Sequence, residues 1–272
     1  MFVTMQRQIV LFLVATQFLT RLPTPAWRSF QPSWLAQAAR YFPLVGVLVG
    51  SISVGVWWLA GRWLPAATSA GLAMAAALLV TGAFHEDGLA DTCDGCGGGG
   101  TRDQVLEIMK DSRIGAYGAI GLCIVLGLKW TVYVAIPAVA FPPIVIGAHM
   151  VSRWCACGLM VRLPYVRGGD DAKSKPFADA LRTRAWIWSG VLGAVAVAPF
   201  AWTADAALQL LLVRVLGAGV AAAAIAAALL AAYFRRRIGG YTGDCLGAVQ
   251  QFSELGFLLA ALAVVGAAMR AG

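Results

Sequence analysis

An all-α, polytopic transmembrane helical bundle is the fold class this sequence predicts, on three observations. The 272-residue chain is 60% hydrophobic and only 12% charged, against about 25% charged residues in soluble domains. Its apolar stretches are long and numerous, so they are spans rather than one anchor. Its basic residues gather in alternate loops, hence on one side of the membrane, as the positive-inside rule requires of cytoplasmic loops. The chain reads as one integral-membrane domain, 1–272, in a lipid bilayer.

The elements follow in order. Residues 1–27 carry an apolar stretch between Gln8 and Arg21. It is too short to cross about 30 Å of hydrocarbon and lacks the pattern of a cleavable signal peptide. It is expected to be an interfacial or re-entrant helix, tucked against the bundle. About seven spans follow, at 41–60, 66–84, 114–135, 139–160, 185–203, 207–233 and 252–269. Abundant Ala and Gly suit close packing of membrane helices. Trp57, Trp58, Trp63, Trp186 and Trp188 lie near span ends and read as interfacial belts.

With the N-terminus in the cytoplasm, 16 of the 21 basic residues fall on the inside. They are Arg7, Arg21, Arg28 and Arg40; Arg102, Lys110 and Arg113; Arg162, Arg167, Lys173, Lys175, Arg182 and Arg184; and Arg235, Arg236 and Arg237. The +8 net charge therefore marks orientation, and no nucleic-acid partner is implied. All acidic residues but Asp205 are placed on or near the same face. The location expected is the bacterial cytoplasmic (inner) membrane, with the functional site on the cytoplasmic side. A homo-oligomer is compatible with this pattern.

Seven of the 13 acidic residues lie between Glu86 and Asp111, directly after a span. In "DGLADTCDG", Asp87, Asp91 and Asp94 point to about 0°, 40° and −20° on a helix, one narrow face. Carboxylates that close repel one another where water is scarce. A divalent cation would compensate, and hard oxygen ligands suit Mg2+ with substrate phosphates completing its shell. "EIMKD" sets Glu107 and Asp111 four apart, beside Lys110, Ser112 and Arg113. Carboxylates for a metal and cations for phosphate make a phosphoryl-transfer site. The plainer reading is a solvated loop of ion pairs, but charge abutting a span is costly, about 2.5–3.5 kcal/mol per residue.

Other features carry less. "GCGGGG" at 95–100 is either a backbone cradle for phosphate or a hinge, and it lacks the Lys-Ser/Thr of a P-loop. His85 is a proton carrier or a span-end polar residue. Cys93 and Cys96 form a CxxC and Cys155 and Cys157 a CxC; zinc is a weak reading on a reducing face, and buried thiols are the better one. Arg153 lies within a span, where it would pair with a carboxylate or a substrate phosphate. "GGYTGDCLGA" adds Thr242 and Asp244, with Glu254 beyond, at the same border. It is a second part of the site or a turn before a helix capped at Asp244. Arg21, in "TRLPTP", faces the same side.

Taken together, "TRLPTP", "RYFPLVGVLVG", "HEDGLADTCDG", "LEIMKDSRIGAYGAIGL" and "GGYTGDCLGA" closely resemble the cobalamin synthase family, adenosylcobinamide-GDP ribazoletransferase, in order and over nearly the whole chain. Cys93 and Cys96 depart from the small or varied residues expected there. The resemblance implies a magnesium-dependent phosphotransferase with adenosylcobinamide-GDP and α-ribazole, or α-ribazole 5′-phosphate, as substrates and GMP as leaving group. It implies Asp87, Asp91, Asp94 and Asp111 as metal ligands. Lys110, Arg113, Ser112, Arg153, Arg21, Thr242 and Asp244 would hold substrate, and Asp111, Glu86 or His85 would take the hydroxyl proton. Two other readings compete. "DTCDG" echoes the CDP-alcohol phosphotransferases, but the Ala-Arg after the first glycine is absent and the second pair is closer. A transporter would carry its charges at the midplane and show an internal repeat.

Overall fold

The computed structural model describes residues 2–25, 32–167, 181–202 and 205–271. Lys173 and Lys175 of the expected inside loop, and Arg28, lie outside the described residues. Eleven α-helices run through the described residues, and no strand does; Tyr165 and Tyr241 form an isolated bridge.

The first helix, α1 (Phe2–Leu19), is not among the segments long and apolar enough to cross a membrane. Leu11, Val14, Ala15 and Leu19 bury one face while Met5 and Ile9 stay exposed. It therefore lies against the bundle, with α2 (Pro32–Ala38) and α3 (Phe42–Ala60) beside it. Proline in the first turn starts α3, where a missing N–H costs nothing. Helices α7 (Ala116–Ala135), α8 (Phe141–Arg162), α9 (Thr183–Ala201), α10 (Ala206–Arg237) and α11 (Gly243–Ala271) supply further spanning segments. Asp205 caps α10 by accepting from the Leu208 N–H at 2.9 Å.

Two expected spans are redrawn. The segment expected at 66–84 is α4 (Ala66–Thr81), and α5 (Phe84–Gly98) leaves it at 88°. Gly82 and Ala83 take successive positive φ values of 64° and 56°, which breaks the helix. Among the described residues, six helices are thus long and apolar enough to cross a membrane, or seven if the bent pair is one span. The last span begins at Gly243, nine residues before the expected 252. Gln250, Gln251 and Glu254 lowered the local hydropathy, yet all three are buried in the bundle.

Helix α8 forms the centre. Nearly every residue from Phe141 to Met160 is buried, as expected of a helix surrounded by others. Helices α3, α9, α10 and α11 pack around it. Gly50 lets α3 approach closely: a Cβ there would sit 2.8 Å from the Ile146 Cα. Trp186, expected in an interfacial belt, instead stacks on Trp154 at 4.8 Å, each indole N–H donating to the other's carbonyl at 3.0 Å.

Candidate functional site: two clusters of charge

The first cluster lies where α5 and α11 begin. Gly88 and Gly247 meet there: a Cβ on Gly88 would sit 2.9 Å from the Asp244 carbonyl oxygen, and one on Gly247 2.8 Å from that of His85. This crossing brings the α5 carboxylates to the start of α11. Asp91 lies in the field of Asp244 and of Asp87, and Asp87 is exposed. Asp244 accepts from the Arg167 guanidinium at 2.9 Å and from the Thr242 hydroxyl at 3.2 Å. Arg167 also donates to the Met109 carbonyl at 3.0 Å. Thr242, fully buried, accepts from the Cys245 N–H at 3.4 Å. The cap of α11 is therefore Thr242, not Asp244, and Asp244 is released to face Asp91.

Beside Asp244, an open cleft of about 370 Å³ is lined by Arg102, Glu107, Lys110 and Arg167. The short helix α6 (Arg102–Ile108) forms one wall. Thr101 and Gln104 start it with a reciprocal capping box. Arg102 donates to the Ile238 carbonyl at 2.9 Å and Arg237 to the Gly100 carbonyl at 3.0 Å, pinning α6 to the end of α10. The glycine run is helix and packing: Gly95 and Gly99 admit Val105 of α6, and Gly97 admits the Tyr117 ring.

Not every expected residue joins this cluster. Asp94 lies in the field of Asp91, but its carboxylate is engaged elsewhere. Its two oxygens accept the Gly115 and Gly118 N–H groups at 2.7 and 2.8 Å, satisfying the otherwise orphan donors at the start of α7. Asp111 pairs with Arg113 at 2.6 Å on an exposed turn, and Arg113 holds its carboxyl down at about 2. Ser112 is exposed on the same turn. Arg21 lies over Gly82 at the α4–α5 break. Among the described residues, no three His, Cys, Asp or Glu side chains converge closely enough to hold a metal by themselves. All six cysteines are free; Cys155, Cys157 and Cys245 are buried, Cys93 and Cys96 partly so, and Cys123 is exposed.

The second cluster is deep. Glu254, on α11, lies 11 residues beyond Gly243, roughly 16 Å along the helix at 1.5 Å per residue. It meets the Lys129 ammonium of α7 at 2.5 Å and the His149 ring of α8 at 3.1 Å. Gln250 donates to it at 2.6 Å. Lys129 also donates to Gln251 at 3.2 Å, and Gln251 donates to Glu86 of α5 at 2.7 Å. Arg153 donates to the His149 carbonyl at 2.9 Å and lies in the field of Glu254 and Glu86. His85, Glu86, Lys129, Arg153 and Glu254 are all buried. With the histidines neutral, two carboxylates balance two cations. Sequence reasoning singled out Arg153, His85 and Glu86, but not as one group; it put Glu254 with Thr242 and Asp244 at the helix-end border, and it gave Lys129 no role. The available signal was that a charged residue inside a span is functional or paired by default.

This architecture and the first cluster define a class: a multi-pass helical membrane protein with carboxylates and arginines gathered at its helix ends, as a transferase of phosphorylated groups requires. Comparison with known proteins narrows the class. The cobalamin-5-phosphate synthase family matches residues 11–262, and the chain belongs to that family. It is 43% identical over 94% of its length to an adenosylcobinamide-GDP ribazoletransferase of Leptothrix cholodnii, of which 96% is covered. It is 45% identical over 95% of its length to a protein of that name from Shewanella frigidimarina, again 96% covered. One from Shewanella oneidensis is 44% identical, with 92% of each chain covered. No solved structure matches this chain.

Proposed function

We propose that this chain completes the nucleotide loop of cobalamin. It transfers the adenosylcobinamide-phosphate group of adenosylcobinamide-GDP to the ribose hydroxyl of α-ribazole or its 5′-phosphate. The hydroxyl oxygen bonds to the phosphorus bearing the cobinamide arm, and the bond from that phosphorus to GMP breaks. The observation that carries the reading is the crossing at Gly88 and Gly247, which sets Asp91 beside Asp244, next to the cleft lined by Arg102, Lys110 and Arg167.

Hard carboxylate oxygens with phosphate nearby suit Mg2+, which commonly takes one or two carboxylates and completes its shell from substrate and water. Asp91 and Asp244 would hold the ion, and it would supply charge neutralisation at the pyrophosphate. The remaining work belongs to the chain. Lys110, Arg102 and Arg167 bind phosphate oxygens and stabilise charge moving to the leaving GMP. Arg167 also fixes Asp244 against α6 through the Met109 carbonyl. Asp111, at about 2, is too weak a base for the hydroxyl proton. His85 and Glu86 face the deep cluster. We assign that proton to Asp87, the exposed carboxylate.

Arg102, Lys110, Arg113, Arg162, Arg167 and Arg235–Arg237 share the end of the bundle that carries this site, which supports a cytoplasmic active face in the inner membrane. The test is GMP release by purified protein in detergent. Release that needs both substrates and magnesium, and is lost in Asp91→Ala, is expected. GMP formed without α-ribazole, or none from folded protein, would overturn the reading.

A further inference from the structure

The deep cluster is no substrate pocket. The cavity beside Glu86, Lys129, Arg153 and Glu254 is about 20 Å³, room for about one water molecule and far too little for a phosphate. One Glu86 oxygen and the Arg153 Nε border it without a protein partner. Four helices nevertheless send charged or amide side chains to this one point: α5, α7, α8 and α11.

Helix α5 is the element that gains. Its 15 residues are uncoupled from α4 by the left-handed pair Gly82–Ala83, so no preceding rod dictates its rotation. Glu86 and Asp87 are neighbours on it, one turned into the bundle and the other exposed. Whatever holds Glu86 therefore helps to set where Asp87 and Asp91 point, beside the Gly88–Gly247 crossing and the Asp94 bonds to the start of α7. The hydrogen bond from Gln251 is that hold, and Gln251 is itself fixed by Lys129 and Gln250. A rotation of α5 by about 20° would move a carboxylate about 5 Å from its axis by roughly 1.7 Å. Displacements near 1 Å are enough to cost about 100-fold in a positioned site.

We propose that the deep cluster, closed around one internal water, is a positioning device: Gln251, held by Lys129 and Gln250, which both bind Glu254, grips Glu86 and thereby aims Asp87 and Asp91 at Asp244. This rests on the reading of those carboxylates as an ion site. Glu86, Gln251, Lys129 and Glu254 are thus positioning residues, not catalytic ones.

The experiment is a titration of purified protein in detergent with Mn2+, standing in for Mg2+ and read by electron paramagnetic resonance, with melting temperatures in parallel. Gln251→Met removes the grip without removing a charge. It is expected to bind Mn2+ about 10-fold more weakly, with its melting temperature nearly kept. Glu86→Ala should bind Mn2+ as weakly, with a lowered melting temperature because it also unbalances the buried charges, and Glu86→Gln, which still accepts from Gln251, should recover Mn2+ binding. The double variant K129M/E254Q removes one charge of each sign and should melt near the parent while also binding Mn2+ more weakly. Wild-type Mn2+ affinity in Gln251→Met and K129M/E254Q would overturn the proposal and leave the transferase reading intact. A parent protein that releases GMP yet binds no Mn2+ would overturn it too, since there would be no ion site to aim. Absent GMP release would count against the transferase reading alone, because the Mn2+ titration does not depend on turnover.

Discussion

The cluster at the helix ends keeps Asp87, Glu107 and Lys110 in contact with water, whereas the deep cluster takes Glu86, Lys129, Arg153 and Glu254 out of it. The side-chain chemistry is nearly the same in both. At the surface, a carboxylate without a partner is solvated and free to meet a ligand. In the bundle it must be matched at once, because an unpaired ion there carries a desolvation cost of several kcal/mol. The difference teaches where substitution should damage the fold and where it should damage only the chemistry.

The largest effect should come from unbalancing the deep cluster. Glu254→Leu leaves Lys129 without its 2.5 Å partner. A loss of about 3–5 kcal/mol is expected for breaking a buried pair from one side, read as failure to accumulate in the membrane or a collapsed melting temperature. Normal accumulation would erase the contrast between the clusters. Next comes Asp91→Asn at the helix ends. It should cut GMP release by a factor on the order of 10²–10³ while the melting temperature holds. A parallel loss of melting temperature would show that this cluster, too, is structural.

Asp94 sharpens the comparison, since it belongs to neither cluster. Asp94→Ala strands the Gly115 and Gly118 N–H groups, and a cost of about 1–2 kcal/mol is expected by analogy with lost caps. Thermal unfolding of Asp94→Ala against Asp94→Asn, which keeps one acceptor, checks it. The smallest effect should be Arg113→Ala. Arg113 lowers Asp111 from 3.8 to about 2. A depressed carboxyl stabilises the fold above its unfolded value and loses that contribution as pH falls through its folded value. The variant and parent should therefore melt slightly apart at pH 7 and converge near pH 2.

What could be read from the sequence divides along the same line. The helical class and the span count were legible because long apolar runs dominate their own windows. The acidic patch was legible because Asp87, Asp91 and Asp94 are close in sequence. The deep cluster was not, because its members are spread over four helices, and only tertiary packing makes them neighbours. Polar Gln250, Gln251 and Glu254 also hid the true start of α11, since hydropathy cannot see that a partner waits inside the bundle. The bonds from Asp94 to the Gly115 and Gly118 N–H groups were hidden for a similar reason. Helical periodicity fixes the face a carboxylate shares, not which helix's N–H groups will occupy it. Arg167 was counted only as a topological charge, though it holds Asp244.

The meeting of Gly88 and Gly247 has a consequence for ion choice. Their backbones are so close that a single methyl group at either position must push α5 and α11 apart. Magnesium binds its oxygens at about 2.0–2.1 Å and calcium at about 2.3–2.6 Å. A methyl at the crossing would widen the gap between Asp91 and Asp244. On the proposed ion site the absence of two side chains would work as a caliper, and Gly247→Ala is expected to tilt the preference from the smaller ion toward the larger.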